Sequence, residues 1–256
     1  MNKNTIIITG ASSGLGKEYL KQLLSRTDIL EYWIIARRKE RLEEISKQDP
    51  RIVPIACDLC KKEDLKVLID KLDKEKPDVK LLVNNAGLGK VGDLEDLSMD
   101  ETDSMIDLNV KAFTRIIQIV LPFMNKGSAI LNVASIAGFQ PMPGFSVYAA
   151  SKAYVLSLSH ALHTELKPRG ISVTAVCPYW VTDTQFISVM KESGNKGYES
   201  RVGATTSPNV VSKSLEAIKK NRSVCTPDMV SSIVRVFSKI SPDQFTSSIM
   251  NLVKKL

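Results

Sequence analysis

Short apolar runs alternate with amphipathic stretches from the first residues of this chain, and that alternation constrains its fold more than any other feature. Thr5-Ile6-Ile7-Ile8-Thr9 is β-branched and almost wholly apolar, Gly10 closes it, and helical spacing follows from Leu15 to Leu24. Tyr32-Trp33-Ile34-Ile35-Ala36 repeats the strand pattern, with Glu40 to Ile45 as its helix. Arg51 to Ala56, Val79 to Val83, Ser128 to Ala134 and Ile171 to Val176 add four strands, and Ser223 to Thr226 makes a short seventh. Amphipathic segments at 62–74, 101–124 and 146–167 lie between them. Strands apolar on both faces and separated by helices belong to a parallel sheet covered on both sides.

A chain of 256 residues with 43% hydrophobic and 25% charged residues can bury a substantial core, which excludes a disordered polymer. Pro and Gly occur singly at turns, with no linker, repeat or low-complexity tract, so residues 1–256 read as a single domain. From Thr182 to Pro208 the pattern lapses into small and polar residues. A loop of that length is either a functional lid or partly disordered, and we expect a lid at about 182–208. Lys and Arg number 35 against 28 Asp and Glu, a net charge of +7, but both signs are dispersed along the chain. That balance suits an anionic ligand and gives no clustered patch for nucleic acid. No run reaches the roughly 18 apolar residues of a membrane span, and Ile6-Ile7-Ile8 is too short for a signal-peptide core. Cys57, Cys60, Cys177 and Cys225 lack the second close pair of a zinc ribbon and read as reduced thiols of a cytoplasmic protein.

The first strand runs directly into Thr9-Gly10-Ala11-Ser12-Ser13-Gly14-Leu15-Gly16. Glycines there permit a tight turn, close approach of main chain to a diphosphate, and close packing of helix on strand. The helix that follows offers N–H groups and a positive dipole end to phosphates. About twenty residues on, dinucleotide folds that use NAD place a carboxylate against the ribose 2′-hydroxyl. Here the second strand ends Ala36-Arg37-Arg38, with no acid before Glu40. Guanidinium groups suit a 2′-phosphate, so the reading is NADP(H) rather than NAD.

Tyr148 and Lys152 are spaced i, i+4 and share one helical face. A tyrosine has a pKa near 10, and a neighbouring ammonium stabilises its phenolate and brings it towards the working range. Ser135 ends the strand 128–134, at the carboxyl edge where open α/β sheets bind ligands, and its hydroxyl could hold a carbonyl oxygen while Tyr148 protonates it.

Taken together, Thr9-Gly10-x-x-x-Gly14-x-Gly16, Asn84-Asn85-Ala86-Gly87, Asn109, Ser135, Tyr148 and Lys152 have the order and spacing of the short-chain dehydrogenase/reductase (SDR) family, and the resemblance extends to about residue 185. It implies an α/β, doubly wound, Rossmann-like seven-stranded parallel sheet with helices on both faces and a nicotinamide cofactor. On that resemblance Tyr148 is the general acid/base, Lys152 lowers its pKa and holds the nicotinamide ribose, and Ser135 orients the substrate oxygen. Asn109 supports a water-linked relay through Lys152. Gly10, Ser12, Ser13, Gly14, Leu15 and Gly16 would take the cofactor's phosphates, with Ser12 joining Arg37 and Arg38 at the 2′-phosphate. Asp58 and Leu59 would meet the adenine, and Asn85, Ala86 and Gly87 the adenosine end. Pro178, Val181 and Thr182 would flank the nicotinamide. The family is commonly dimeric or tetrameric, here through 110–124 and 146–167.

Where the family usually reads Pro-Gly, this chain reads Pro178-Tyr179, which puts the local backbone path in question. Tyr179 and Trp180 either roof an apolar substrate or pack beneath the lid. Phe139, Met142 and Phe145, between two catalytic positions, either line the substrate cleft or belong to the core. Leu88 and residues 186–190 would complete an apolar cavity. His160 and His163 lack a converging third ligand, so no metal is expected. Residues 228–256 form two amphipathic helices. They would close the substrate site or meet another subunit, with contact to an anionic membrane surface as the alternative.

These features point to NADPH-dependent interconversion of a carbonyl and an alcohol on a lipophilic substrate such as a ketosteroid. A 3-oxoacyl or general carbonyl reductase is the alternative within the class, and a non-catalytic NADPH-binding regulatory protein the alternative outside it.

Overall fold

The computed structural model describes residues 2–184, 186 and 203–255. Seven parallel strands run in the order β3-β2-β1-β4-β5-β6-β7. They are β1 (Asn4–Thr9), β2 (Glu31–Ala36), β3 (Ile52–Ala56), β4 (Asp78–Asn84), β5 (Ala129–Val133), β6 (Ser172–Val176) and the two-residue β7 (Val224–Cys225). β1 lies inside the sheet, next to the central strand β4, with Ile7 opposite Trp33 of β2 on one side and Leu82 of β4 on the other. Pro54, which has no N–H to give, falls on the edge strand β3, where the sheet tolerates it.

Alternate residues of each strand feed two separate cores. Ile7, Trp33 and Ile35 point to a layer that includes Leu68 of α3 (Lys62–Glu75), Ile116 of α5 (Phe113–Val120) and Val155 of α6 (Ser146–Glu165). Ile6, Ile8 and Ile34 point to the opposite layer, with Leu20 of α1 (Gly14–Leu23), Leu42 of α2 (Lys39–Ser46) and Val210 of α7 (Ser207–Lys219). Both faces of the sheet are therefore dry, as the apolar strands require. Two C-terminal helices follow, α8 (Met229–Ile240) and α9 (Asp243–Lys255). Among the described residues no helix is long and apolar enough to cross a membrane.

Two boundaries differ from the sequence pattern. The single amphipathic stretch read at 101–124 is broken: α4 (Met99–Ile106) passes into a π-helical turn, Asp107–Ala112, before α5 begins. The widened turn turns Asn109 inwards, where it is fully buried, and such turns recur at functional sites. The stretch expected as a lid ends earlier than Pro208: Val181 pairs with Thr205 in an isolated bridge, and α7 starts at Ser207. Positions 185 and 187–202 of that stretch lie outside the described residues.

Candidate active site

Strand order reverses between β1 and β4, so the loops leaving their carboxyl ends diverge and leave a crevice. A cavity of about 790 Å³ opens there. On its β1 side the glycines define the surface. Gly10 and Gly14 have φ of +66° and +51°, left-handed conformations that cost glycine little. Gly16 is helical, yet a Cβ on it would sit 2.3 Å from the carbonyl oxygen of Gly10. It therefore sits behind the turn and lets α1 close on β1, while Ser12, Ser13, Gly14 and Leu15 face the cavity. The first turn of α1 has no acidic residue, and Ser13 makes no side-chain cap. Its N–H groups are left to a ligand, and they favour an anion.

The adjoining β4 end is locked to this turn. Thr9 Oγ1 accepts from the N–H of Asn85 at 2.9 Å and of Ala86 at 3.0 Å, and Asn85 Nδ2 donates to Thr9 O at 3.0 Å. Asn85, Ala86 and Gly87 all line the cavity. At the far end Arg37 and Arg38 follow β2, with Asp58 and Leu59 across from them after β3. Ser12 partners Arg38 rather than Arg37: Arg38 Nη2 donates to Ser12 Oγ at 3.2 Å, because Arg38 is the N-cap of α2 and turns back towards the glycine loop. Burial, then the charges of Arg41 and Arg37, lower the pKa of Arg38. Arg41, to which no sequence motif drew attention, thus adds positive charge near Arg38, although it does not itself line the cavity.

Tyr148 and Lys152 project from the buried face of α6, and Ser135 lies two residues beyond the end of β5. Ser135 accepts from the N–H of Ala137 at 3.2 Å, which fixes the serine at the start of a short 3-10 turn (Ile136–Phe139). Lys152 Nζ donates to the carbonyl of Val133 at 2.9 Å and lies 5.6 Å from the centroid of the Tyr148 ring. Burial brings the Lys152 ammonium down to about 8. Burial also raises the Tyr148 phenol above its usual value, and the nearby Ser135 hydroxyl acts against that rise. Asn109 does not reach the lysine itself. Its Oδ1 accepts from the N–H of Leu88 at 2.9 Å, and its Nδ2 donates to Leu88 O and to Ser151 Oγ. The asparagine thereby fixes Gly87, whose α-carbon side abuts both Asn109 Oδ1 and Lys152 Nζ. Ser151, which carries no signal in the sequence pattern, donates in turn to Tyr148 O at 2.7 Å.

A family model described as short chain dehydrogenase matches residues 4–194, about three quarters of the chain. The chain belongs to the short-chain dehydrogenase family. It is 34% identical over 203 residues to the very-long-chain 3-oxoacyl-CoA reductase of Anas platyrhynchos, covering 74% of this chain but only 63% of that relative's length. It is also 34% identical over 217 residues to the NADP-dependent 3-hydroxy acid dehydrogenase of Schizosaccharomyces pombe, covering 81% of this chain and 82% of that one. Among solved structures, a short-chain dehydrogenase from Sphingobium yanoikuyae in complex with NADPH superimposes with a TM-score of 0.75 at 29% identity, over 88% of this chain and 87% of that one.

In this short-chain dehydrogenase the wall beyond Tyr148 is aromatic and aliphatic. The Phe145 ring stacks on Tyr148 with centroids 4.3 Å apart, and Phe186 approaches the tyrosine ring at 5.6 Å. Met142, Pro178, Tyr179, Trp180 and Val181 share the lining. Phe139 does not: it packs against the core beside α6. Tyr179 stands where the family favours glycine, but its φ is not positive, so the backbone path needs no glycine, and its N–H donates to Asp228 Oδ2 at 3.2 Å. Thr182 also turns away, its hydroxyl donating to Thr205 O at 3.3 Å. Thr184 takes the lining position instead, 3.3 Å from where a Cβ on Gly14 would lie. Val230 and Val234 of α8 and Met250 of α9 complete the wall. The apolar stripe of α8 was visible in the sequence; the direction it faces was not. His160 is exposed, and His163 Nδ1 lies 2.8 Å from Val173 O. Among the described residues no three metal-ligating side chains converge.

Proposed function

We propose that this short-chain dehydrogenase is an NADP(H)-dependent enzyme that interconverts a lipophilic ketone or aldehyde and its alcohol. What carries the reading is a buried Tyr148 beside Lys152, lining the same cavity as Ser135, in a cleft whose two ends differ sharply in character. One end is a glycine turn with unpaired helix N–H groups and the two guanidinium groups of Arg37 and Arg38, which fits the diphosphate and 2′-phosphate of NADP(H). The other is lined by Met142, Phe145, Trp180, Val230 and Val234, which fits an apolar substrate. The dinucleotide, when bound, supplies or accepts the hydride at the carbonyl carbon. Tyr148 gives its proton to the carbonyl oxygen in the reductive direction and takes it back in the oxidative one. Ser135 holds that oxygen as negative charge develops, and the Lys152 ammonium favours the phenolate that Tyr148 leaves behind. Asn109 and Ser151 act as positioning residues, fixing the Gly87 and Tyr148 main chain around the ammonium.

A flat ketosteroid suits the ring-lined wall. A 3-oxoacyl chain is the second reading, favoured by the activities for which the duck and fission-yeast relatives are named. The free thiols Cys57, Cys60, Cys177 and Cys225 support a reducing, cytoplasmic setting. The test follows NADPH consumption with ketosteroids, 3-oxoacyl thioesters and simple aldehydes. Tyr148→Phe is expected to cut turnover about 10²- to 10⁴-fold while NADPH still binds. Arg38→Glu should weaken NADPH about 10- to 100-fold and NADH far less. Unchanged turnover in the first variant would remove Tyr148 from proton transfer, and equal losses in the second would remove Arg38 from the 2′-phosphate.

A further inference from the structure

The apolar residues of helix α8 span a wide arc, and among the described residues one side of it is packed while the other is exposed. Val230 and Val234 look into the cleft, and Phe237 pairs with Phe245 of α9 at 6.2 Å. On the adjoining side, about a quarter-turn away, Met229, Ile233, Val236 and Ile240 recur at helical spacing and are between 60% and 77% exposed. Phe245, packed on Phe237, is itself 54% exposed. A row of large apolar side chains left in water on one helix marks a contact surface, since isolated exposed apolar residues are ordinary but a contiguous patch is not.

The charge beside the stripe says what it fits. Arg235 and Lys239 run along one edge of α8 and lie close enough to His160 of α6 for both to depress its pKa, after burial. The ion pairs among the described residues involve neither of them. The one carboxylate of the α8 start, Asp228, is spent on the N–H groups of Ser231 and Tyr179. An apolar stripe with a basic edge is the form of a helix that lies in the plane of an anionic bilayer, apolar face down and cations at the headgroups. A second copy of the chain suits it less well. Two α8 helices facing each other antiparallel across a two-fold axis would set both basic edges on the same side, where they repel.

We propose that α8 docks this enzyme on anionic membrane surfaces, with Met229, Ile233, Val236 and Ile240 in the acyl boundary and Arg235 and Lys239 at the headgroups. The test is flotation of the full-length protein with vesicles of phosphatidylglycerol and phosphatidylcholine, against vesicles of phosphatidylcholine alone. The protein should float with the anionic vesicles, at least about tenfold more than with the neutral ones, and salt should weaken it. Ile233→Glu with Val236→Glu should abolish flotation with an unaltered circular dichroism spectrum and melting temperature, and Lys239→Glu should reduce it several-fold. A protein left in the supernatant with anionic vesicles at low salt would overturn the proposal, as would a double variant that still floats. Sedimentation velocity on the same samples tests the rival: an oligomer that the double variant converts to monomer, with no flotation of either form, would assign the stripe to a second copy. None of these readouts depends on turnover, so they stand whatever the substrate proves to be.

Discussion

Around the glycine turn the wall of the cleft is main chain, whereas beyond β6 it is made of side chains held by other side chains. On the first side Gly10, Gly14 and Gly16 leave no room for a Cβ or adopt φ values that disfavour one, and Thr9 fastens two N–H groups of the β4 loop with a single hydroxyl. On the second, Phe145, Phe186, Tyr179, Trp180, Val230 and Val234 decide the shape, and one carboxylate, Asp228, ties the loop after β6 to the start of α8. A surface of backbone can be altered only by breaking the fold beneath it. A surface of side chains can be recut one residue at a time, so a single scaffold can keep its cofactor while its substrate changes.

The largest effect should come from adding one methyl group to the backbone side. A Cβ on Gly16 would lie 2.3 Å from Gly10 O, and neither α1 nor β1 can move without losing its packing. Gly16→Ala is expected to cost about 3 kcal/mol or more of unfolding free energy. Dinucleotide binding should fall with it. The control is Gly127→Ala, where φ is +88° but nothing lies within 4 Å, so only the backbone strain of about 1–2 kcal/mol applies. Urea denaturation of the two variants reads the difference. Equal losses would mean that close approach is not what Gly16 provides.

The same contrast explains what was legible in the sequence. The sheet, its seven strands and the glycine turn follow from local patterns: apolar runs, a period of 3.6, glycines in fixed order. Tyr148 and Lys152 are also local, four residues apart on one helix. Contacts made across the chain were not legible. Asn109 lies in a π-helical turn that no periodicity announces, and its partners Leu88 and Ser151 are 21 and 42 residues away. Thr182 and Thr184 differ by two positions in one irregular segment, and only the bridge of Val181 to Thr205 decides which of them faces the cleft. Arg37 and Arg38 are adjacent, and the cap geometry of α2 decides which one turns towards Ser12. The second face of α8 stayed ambiguous because a helix with apolar residues over so wide an arc does not say which part is covered.

Lys152 sits on the seam between the two sides and gives the next effect. Burial holds its folded pKa at about 8, against an ordinary value of 10.5. For a base whose pKa is depressed on folding, the unfolded chain binds the extra proton between those two values, so stability rises with pH across that window. Below about pH 8 the ammonium is charged in both states and the full penalty of burying it remains. The unfolding free energy of the wild type minus that of Lys152→Met should therefore be flat at lower pH. It should rise by on the order of 3 kcal/mol from about pH 8 to 10.5. A difference that stays flat over the whole range would mean that water reaches the Lys152 ammonium in the folded protein.

The smallest effect, and the most discriminating, concerns Asp228. Its Oδ1 accepts from the N–H of Ser231 at 2.7 Å and caps α8, while its Oδ2 accepts from the N–H of Tyr179 at 3.2 Å. Asp228→Ala loses both contacts and should cost about 1 kcal/mol, the usual value of an N-cap. The freed loop and helix should also raise KM for a lipophilic ketone several-fold, with NADPH affinity little changed, because the backbone side of the cleft is untouched. Asp228→Asn separates the two roles. Asparagine is as good a cap as aspartate, so its carbonyl oxygen can keep the bond to Ser231 and restore stability. Its amide nitrogen is a donor and cannot accept from Tyr179, so the raised KM should persist. If KM recovered together with stability, the cap alone would position α8, and the wall beyond β6 would owe its shape to the helix rather than to the bond between them.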